Sequence, residues 1–279
     1  MGRHPFVGRL LGNKAYLLSA LVVLIAVAAA FTSPFSPYEP NANDLLHDHE
    51  GPSRLHWLGT DYLGRDILSR LMHGARVSLQ VGVLAVAASY AIGIALGLLA
   101  GIRGGLVDEL TMRLMDAVFV IPGLLLALAI AAALGPSIVN VMIAISVTFI
   151  AGPARLMRGQ VLAVREFEYV LAARSFGASA LRIALRHVLP NTLAALIVSG
   201  TLDVARAILI EASLSFLGAG IRPPAASWGN MLQQGYTYME LNLIEPFAPG
   251  IAIFLIVLAI NLLGDALREA WDPRLRGTR

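Results

Sequence analysis

The sequence holds no cysteine and a single lysine, Lys14, and only 14% of its 279 residues are charged. Without cysteine there is no disulfide framework, thiol nucleophile or thiolate metal site. A Walker A loop needs Gly-Lys-Ser/Thr after a Gly-rich turn to hold phosphates. Lys14 stands in LGNKAYL, so the chain does not bind ATP through that motif. There is no HExxH zinc motif and no Ser-His-Asp set with a nucleophile elbow. Soluble domains carry roughly 25% charged residues. At 57% hydrophobic and mean hydropathy +0.72, this chain could not cover a globule with charge, so its apolar surface must face lipid.

What is present is a series of apolar runs. The first, AYLLSALVVLIAVAAAF at 15–31, follows Arg3, Arg9 and Lys14. AVAAA resembles a signal-peptide cleavage site, but the run exceeds the usual ~7–15 residues and further runs follow, so an uncleaved anchor is expected. Residues 77–102 are free of charge and long enough to cross a bilayer, which takes about 20 residues. Residues 117–154 are too long for one span, and LGPS at 134–137 supplies the turn that splits them. Pro122 is expected to kink the third span. The fifth run, 192–218, is interrupted by Asp203, Arg206 and Glu211, and 246–264 is the last. The expectation is an all-α integral membrane protein with six transmembrane helices. Residues 1–75 would form an N-terminal anchor plus a periplasmic segment, and 76–279 a five-helix core with a cytoplasmic loop at 155–191.

Arginine sets the orientation. With both termini inside, the inner segments carry fifteen of the 21 basic residues: Arg3, Arg9, Lys14, Arg103, Arg113, Arg155, Arg158, Arg165, Arg174, Arg182, Arg186, Arg268, Arg274, Arg276 and Arg279. The outer segments hold five, Arg54, Arg65, Arg70, Arg76 and Arg222, and Arg206 lies within a span. This positive-inside bias selects cytoplasmic termini.

The loop EYVLAARSFGASALRIALRHVLPN, at 168–191, has its own pattern. Tyr169, Ala172, Ala173 and Phe176 follow helical spacing, and Leu181, Ala184, Leu185 and Val188 repeat it. Gly177 between them lets the chain turn, and Pro190 is expected to block continuation into the fifth span. The residues alone allow two uses. One is an amphipathic loop lying on anionic lipid; the other is a rigid helix–Gly–helix element docking a partner.

This stretch resembles the coupling loop of bacterial ATP-binding-cassette importer permeases. That family's pattern is E-A-A, three residues, Gly, nine residues, then I-x-L-P. Ala172, Ala173, Gly177, Leu189 and Pro190 fall on it, while Leu171 stands where the family has Glu and His187 where it has Ile. Those departures bear on one polar contact to the ATPase and leave the docking mode. GTDYLGRDILSRLMHGARVSL (59–79), EASLSFLGAGIRPPAASWGNML (211–232) and NLLGDALREAWDPRLR (261–276) are similar to the dipeptide/oligopeptide/nickel branch, and the separate first span to its C-type subunit.

The resemblance implies a multi-pass subunit of the bacterial inner membrane that pairs with a second permease. It implies two ATPase subunits holding ATP and Mg, so this chain has no cofactor or catalytic residue of its own. An extracytoplasmic binding protein would deliver the ligand, and no nucleic acid is expected. Coupling to the ATPase falls to Tyr169, Ala172, Ala173, Phe176, Gly177, Leu181, Leu189 and Pro190.

Charge inside a span costs roughly 2.5–3.5 kcal/mol on insertion scales and therefore faces protein or water. Asp203 and Arg206, one turn apart, could neutralise each other, or one of them could line the translocation path. Glu211 could bond a neighbouring helix or join them. A secondary transporter relaying ions through Asp203, Arg206 and Glu211 is the alternative, though the internal repeat with paired broken helices is not seen. An integral-membrane enzyme is a third class. His47, Asp48, His49 and Glu50 carry metal-ligand types in an outer loop, where polar filler is the commoner use. Gly93, Gly97 and Gly101 form a small-residue row for close helix packing, with a partner helix in this chain or in a second permease. The outer stretch IRPPAASWGNMLQQGYTYME could touch the binding protein or plug the outer mouth.

Overall fold

The structure, a computed structural model, describes residues 13–271. Arg3, Arg9, Arg274, Arg276 and Arg279, which enter the orientation count, lie outside the described residues. So do the side chains of Leu171, Arg174 and Leu181.

Among the described residues the chain is helical, with one isolated antiparallel bridge between Thr60 and Asp66. The helices are α1 (Lys14–Thr32), α2 (Ile67–Arg103), α3 (Gly105–Val120), α4 (Gly123–Leu134), α5 (Ile138–Phe149) and α6 (Ala151–Val164). These are followed by α7 (Glu168–Ser175), α8 (Ala180–Ile183), α9 (Leu189–Phe216), α10 (Trp228–Thr237) and α11 (Ile244–Trp271). Five apolar stretches are long enough to span: Lys14–Phe35, Ile67–Arg103, Ile138–Val164, Ala184–Phe216 and Ile244–Trp271. The sixth is the pair α3 and α4, bent by 94°.

The bend corrects the expected kink at Pro122. A proline forces its predecessor away from helical dihedrals, and Ile121 is extended at φ −79°, ψ 128°. The helix therefore ends outright, and α4 starts afresh at Gly123. LGPS behaves as expected: Gly135 closes α4 and the Ser137 side chain caps α5, accepting from the Asn140 N–H at 3.0 Å.

Three boundaries also move. The second span begins at Ile67 rather than 77, capped by Asp66, whose carboxylate accepts the Ser69 N–H at 2.7 Å. The expected division at 75/76 falls inside that unbroken helix, and α1, the start of α2, α9 and α11 share one apolar cluster. Pro190 does not stop the chain. It sits in the first turn of α9, where its missing N–H costs little, and a π-helical turn, Ala184–Val188, leads straight into it.

α2 is the central mast. At its inner half Gly93, Gly97 and Gly101 form a row against α6. A Cβ on Gly93 would stand 2.7 Å from the Ile150 carbonyl oxygen, and one on Gly101 would stand 2.7 Å from Val161 Cβ. One on Gly97 would run into the Ala154 carbonyl. The row's partner is thus a helix of this chain, which corrects the alternative of a second permease. Farther out, Gly82 admits Ile208 of α9 and Gly74 admits the Trp228 ring. The same side of α6 is held from α3 by Arg158, bidentate to Asp108 with both bonds at 2.6 Å, and by Arg155 to Asp116 at 2.6 Å. Arg155 and Arg158 therefore belong to the span helix, and the stretch outside span helices narrows from 155–191 to 165–183.

The outer surface is closed by 33–66 and α10. Arg65 donates to Asp61 at 2.7 Å and to Gln234 of α10 at 2.9 Å. The Trp228 indole N–H donates to the Leu71 carbonyl at 3.0 Å. The outer stretch 221–240 is thus anchored within the chain through buried Trp228, Asn230 and Met231, leaving Tyr236 and Met239 exposed.

Gly97→Val is expected to lower the thermal midpoint of detergent-solubilised protein, in line with the ~1–3 kcal/mol of overpacking. Gly152→Ala, a position with open space around a Cβ, is expected to leave it unchanged or raise it. Differential scanning fluorimetry of both variants checks the pair.

Candidate functional site

On the basic, inner face, α6 ends at Val164 and the chain turns through Arg165–Phe167 into α7, the Val170 N–H donating to the Phe167 carbonyl at 2.9 Å. α7 is closed by a Schellman arrangement: the Ala178 N–H reaches the Ala173 carbonyl at 3.0 Å and Gly177 adopts φ +78°. A Cβ at Gly177 would meet open space, so its backbone angle, not crowding, requires glycine. Ser179 opens α8, its hydroxyl accepting from the Arg182 N–H at 3.3 Å.

The two faces of this hairpin have opposite fates. Val170, Ile183 and Val188 are buried with Met157, Val161 and Val164, and Leu98 and Ile102 of α2 pack against the same cluster; Ala184 is buried as well. Three buried aliphatic side chains of this kind contribute several kcal/mol at about 1.5–3 each, so the hairpin is fixed to the ends of α2 and α6. The other face is bare: Phe176 is 91% exposed, Leu185 51% and Tyr169 44%. The Tyr169 ring stands 5.7 Å from both Phe167 and His187, which hold it in place.

Of the residues expected to couple, Tyr169, Ala172, Ala173 and Phe176 share this outer side of α7, with Ala173 partly covered. Leu189 instead packs inward between two apolar clusters, and Pro190 is exposed at the start of α9. The apolar set on the second helix splits: Ala184 and Val188 turn inward, Leu185 outward.

The three charges in the fifth span part company. Glu211 is fully buried; it accepts the Ser78 hydroxyl of α2 at 2.8 Å and the Ser215 hydroxyl at 2.9 Å, and the Trp228 N–H lies 3.3 Å from that Ser78 oxygen. Glu211 thus ties α2, α9 and the start of α10 together. That is the helix-bonding role, and its enclosure removes it from any path. Asp203 has the Tyr90 hydroxyl 2.7 Å from one carboxylate oxygen and Arg206 3.3 Å from the other. Tyr90 was not singled out from the sequence; its signal is a phenol in the middle of a charge-free run.

His47 and His49 do not converge. His47 pairs with Asp44 at 2.8 Å, a hydrogen bond that lowers the Asp44 pKa and raises that of His47, while His49 lies 3.4 Å from Glu245. Among the described residues no three His, Cys, Asp or Glu side chains are grouped to hold a metal.

The chain matches the family described as "Binding-protein-dependent transport system inner membrane component" over residues 93–277, and it belongs to that family. It is 42% identical over 275 residues to the glutathione transport system permease protein GsiD of Pectobacterium atrosepticum, covering 98% of this chain and 91% of that one. It is 41% identical over 270 residues to the dipeptide transport system permease protein DppC of Bacillus subtilis, covering 96% and 84%. An inward-facing structure of the MetNI methionine ABC transporter superposes with a TM-score of 0.58 at 17% identity, covering 72% of this chain and 96% of that one, which shows the shared fold. The chain is accordingly a multi-pass inner-membrane permease component of a binding-protein-dependent transport system.

Glu211→Ala strands the Ser78 and Ser215 hydroxyls, and a loss of about 1–3 kcal/mol is expected. Glu211→Gln, which keeps an acceptor, is expected to lose less. Thermal aggregation of the purified protein, followed by size exclusion, orders the two.

Proposed function

We propose that this chain is one of two permease subunits of an ATP-driven importer of small peptides or glutathione-like compounds. It forms the translocation path with a second permease, and ATP and Mg bind and react on two partner ATPase subunits. A binding protein on the outer side delivers the ligand. The observation that carries the proposal is the bare aromatic side of α7, on a helix whose opposite side is clamped to the spans. A lipid-lying loop has no need of a buried clamp. A lever needs both a grip and a fixed root.

Phe176 is the main grip, inserted into the ATPase surface. Tyr169, Ala172 and Ala173 flank it, and Leu181 is assigned to the same contact by its place in the family's pattern. Gly177 sets the angle between the helices. Leu189 and Pro190 join the hairpin to α9. When ATP draws the two ATPases together, each pulls its hairpin, and because the hairpin cannot shear from α2 and α6, the spans tip. This is a shift between two packed states driven by differential binding. The names of the relatives support the ligand class. The enclosure of Glu211 speaks against an ion relay through Asp203, Arg206 and Glu211.

Gly177→Val places a β-branched residue at φ +78°, a strain of about 1–3 kcal/mol, whereas Gly177→Asn tolerates that angle. In proteoliposomes holding the complete importer, ATP-dependent uptake is expected to fall at least about fivefold for Gly177→Val and to survive in Gly177→Asn. Undiminished uptake by an assembled Gly177→Val complex contradicts the lever.

A further inference from the structure

Arg206 differs from the other two charges of the fifth span, Asp203 and Glu211, in lying open. It lies ten residues before the end of α9 at Phe216, about 15 Å along the helix and inside an apolar stretch long enough to span, Ala184–Phe216. An arginine there needs polar surroundings. Yet its side chain is 70% exposed and makes one bond, Nη1 to Asp203 Oδ1 at 3.3 Å. Among the described residues its other N–H donors have no partner. Asp203, by contrast, is enclosed: its side chain is 10% exposed, and the Tyr90 hydroxyl, itself 2.8 Å from Ser199 Oγ, holds its second oxygen. Glu211 is shut away altogether. Tyr90 and Ser199 therefore fix Asp203, Asp203 steadies one edge of the guanidinium, and the rest of the planar fork is presented outward.

We propose that Arg206 is the carboxylate-reading residue of the translocation path, with Asp203 as its positioning residue; this rests on the importer reading above. A guanidinium fork matches a carboxylate bidentately, and the ligand class is a small, peptide-like molecule bearing a free carboxylate. Asp203 has a second effect. By competing for the guanidinium it keeps the hold on a passing carboxylate weak, and a group lining a path must release what it binds.

The test uses the complete importer in proteoliposomes, with dialanine and glutathione as probes of ATP-driven uptake. R206Q is expected to reduce uptake of the transported probe at least about tenfold, the worth of a hydrogen bond to a charged group. R206K, which keeps the charge and loses the fork, should recover only part of it. If Arg206 serves merely to neutralise Asp203, the double variant D203N/R206Q regains full uptake; on the proposal it stays as impaired as R206Q. Full uptake by R206Q, or by D203N/R206Q, overturns the proposal. So does loss of the second permease from the R206Q complex, which makes the residue an intersubunit ion pair instead. Uptake of neither probe by the unaltered complex overturns the importer reading and this inference with it, whereas normal uptake by R206Q overturns this inference alone.

Discussion

The seating of Val170, Ile183 and Val188 on Met157, Val161 and Val164 makes the hairpin a part of the membrane bundle. That seating depends in turn on how closely α2 and α6 approach. The Gly93, Gly97 and Gly101 row brings two backbones together along the inner half of the bundle, and the Leu98 and Ile102 side chains on the neighbouring side of α2 complete the floor under the hairpin. In lipid, where helix association cannot rely on expelling water, such close packing is the main adhesive. Phe176 thus stands on an element packed directly against α2 and α6.

Polar groups in the spans are used sparingly and in distinct ways. Glu211 staples α2 to α9 and α10 through serine hydroxyls. Asp108 and Asp116 turn two arginines of the positive-inside set into struts that hold α3 against α6, so residues that orient the chain also shape it. Arg206 is left open on α9, 70% exposed and bonded to Asp203 at 3.3 Å.

Much of this was legible in the chain itself. Charge-free runs longer than a bilayer needs are consequences of burying a helix in hydrocarbon, and they mark the stretches that form the five or six candidate spans. The bend at Gly177 followed from the one residue type that takes φ +78° without strain. Other features were not. Pro190 reads as a stop, but the π-turn over Ala184–Val188 absorbs it. Pro122 reads as a kink, but Ile121 goes fully extended and the helix breaks. A proline permits a kink, a break or a fresh helix start, and the sequence does not choose among the three. Likewise no pattern pairs Tyr90 with Asp203 or Ser78 with Glu211, because those partners lie 113 and 133 residues apart and meet only when α2 and α9 pack.

The central claim is that the bare side of α7 is where an ATPase grips. The absence of cysteine from the chain permits a direct measurement: a single cysteine at Phe176, and for comparison one at the outer residue Tyr236, carried through cross-linking of the assembled complex in membranes. The account predicts ATPase adducts from position 176 that change in yield with ATP, and none from position 236. Labelling of position 176 only by reagents confined to the outer side, or no ATPase adduct from it in an intact complex, would contradict the account.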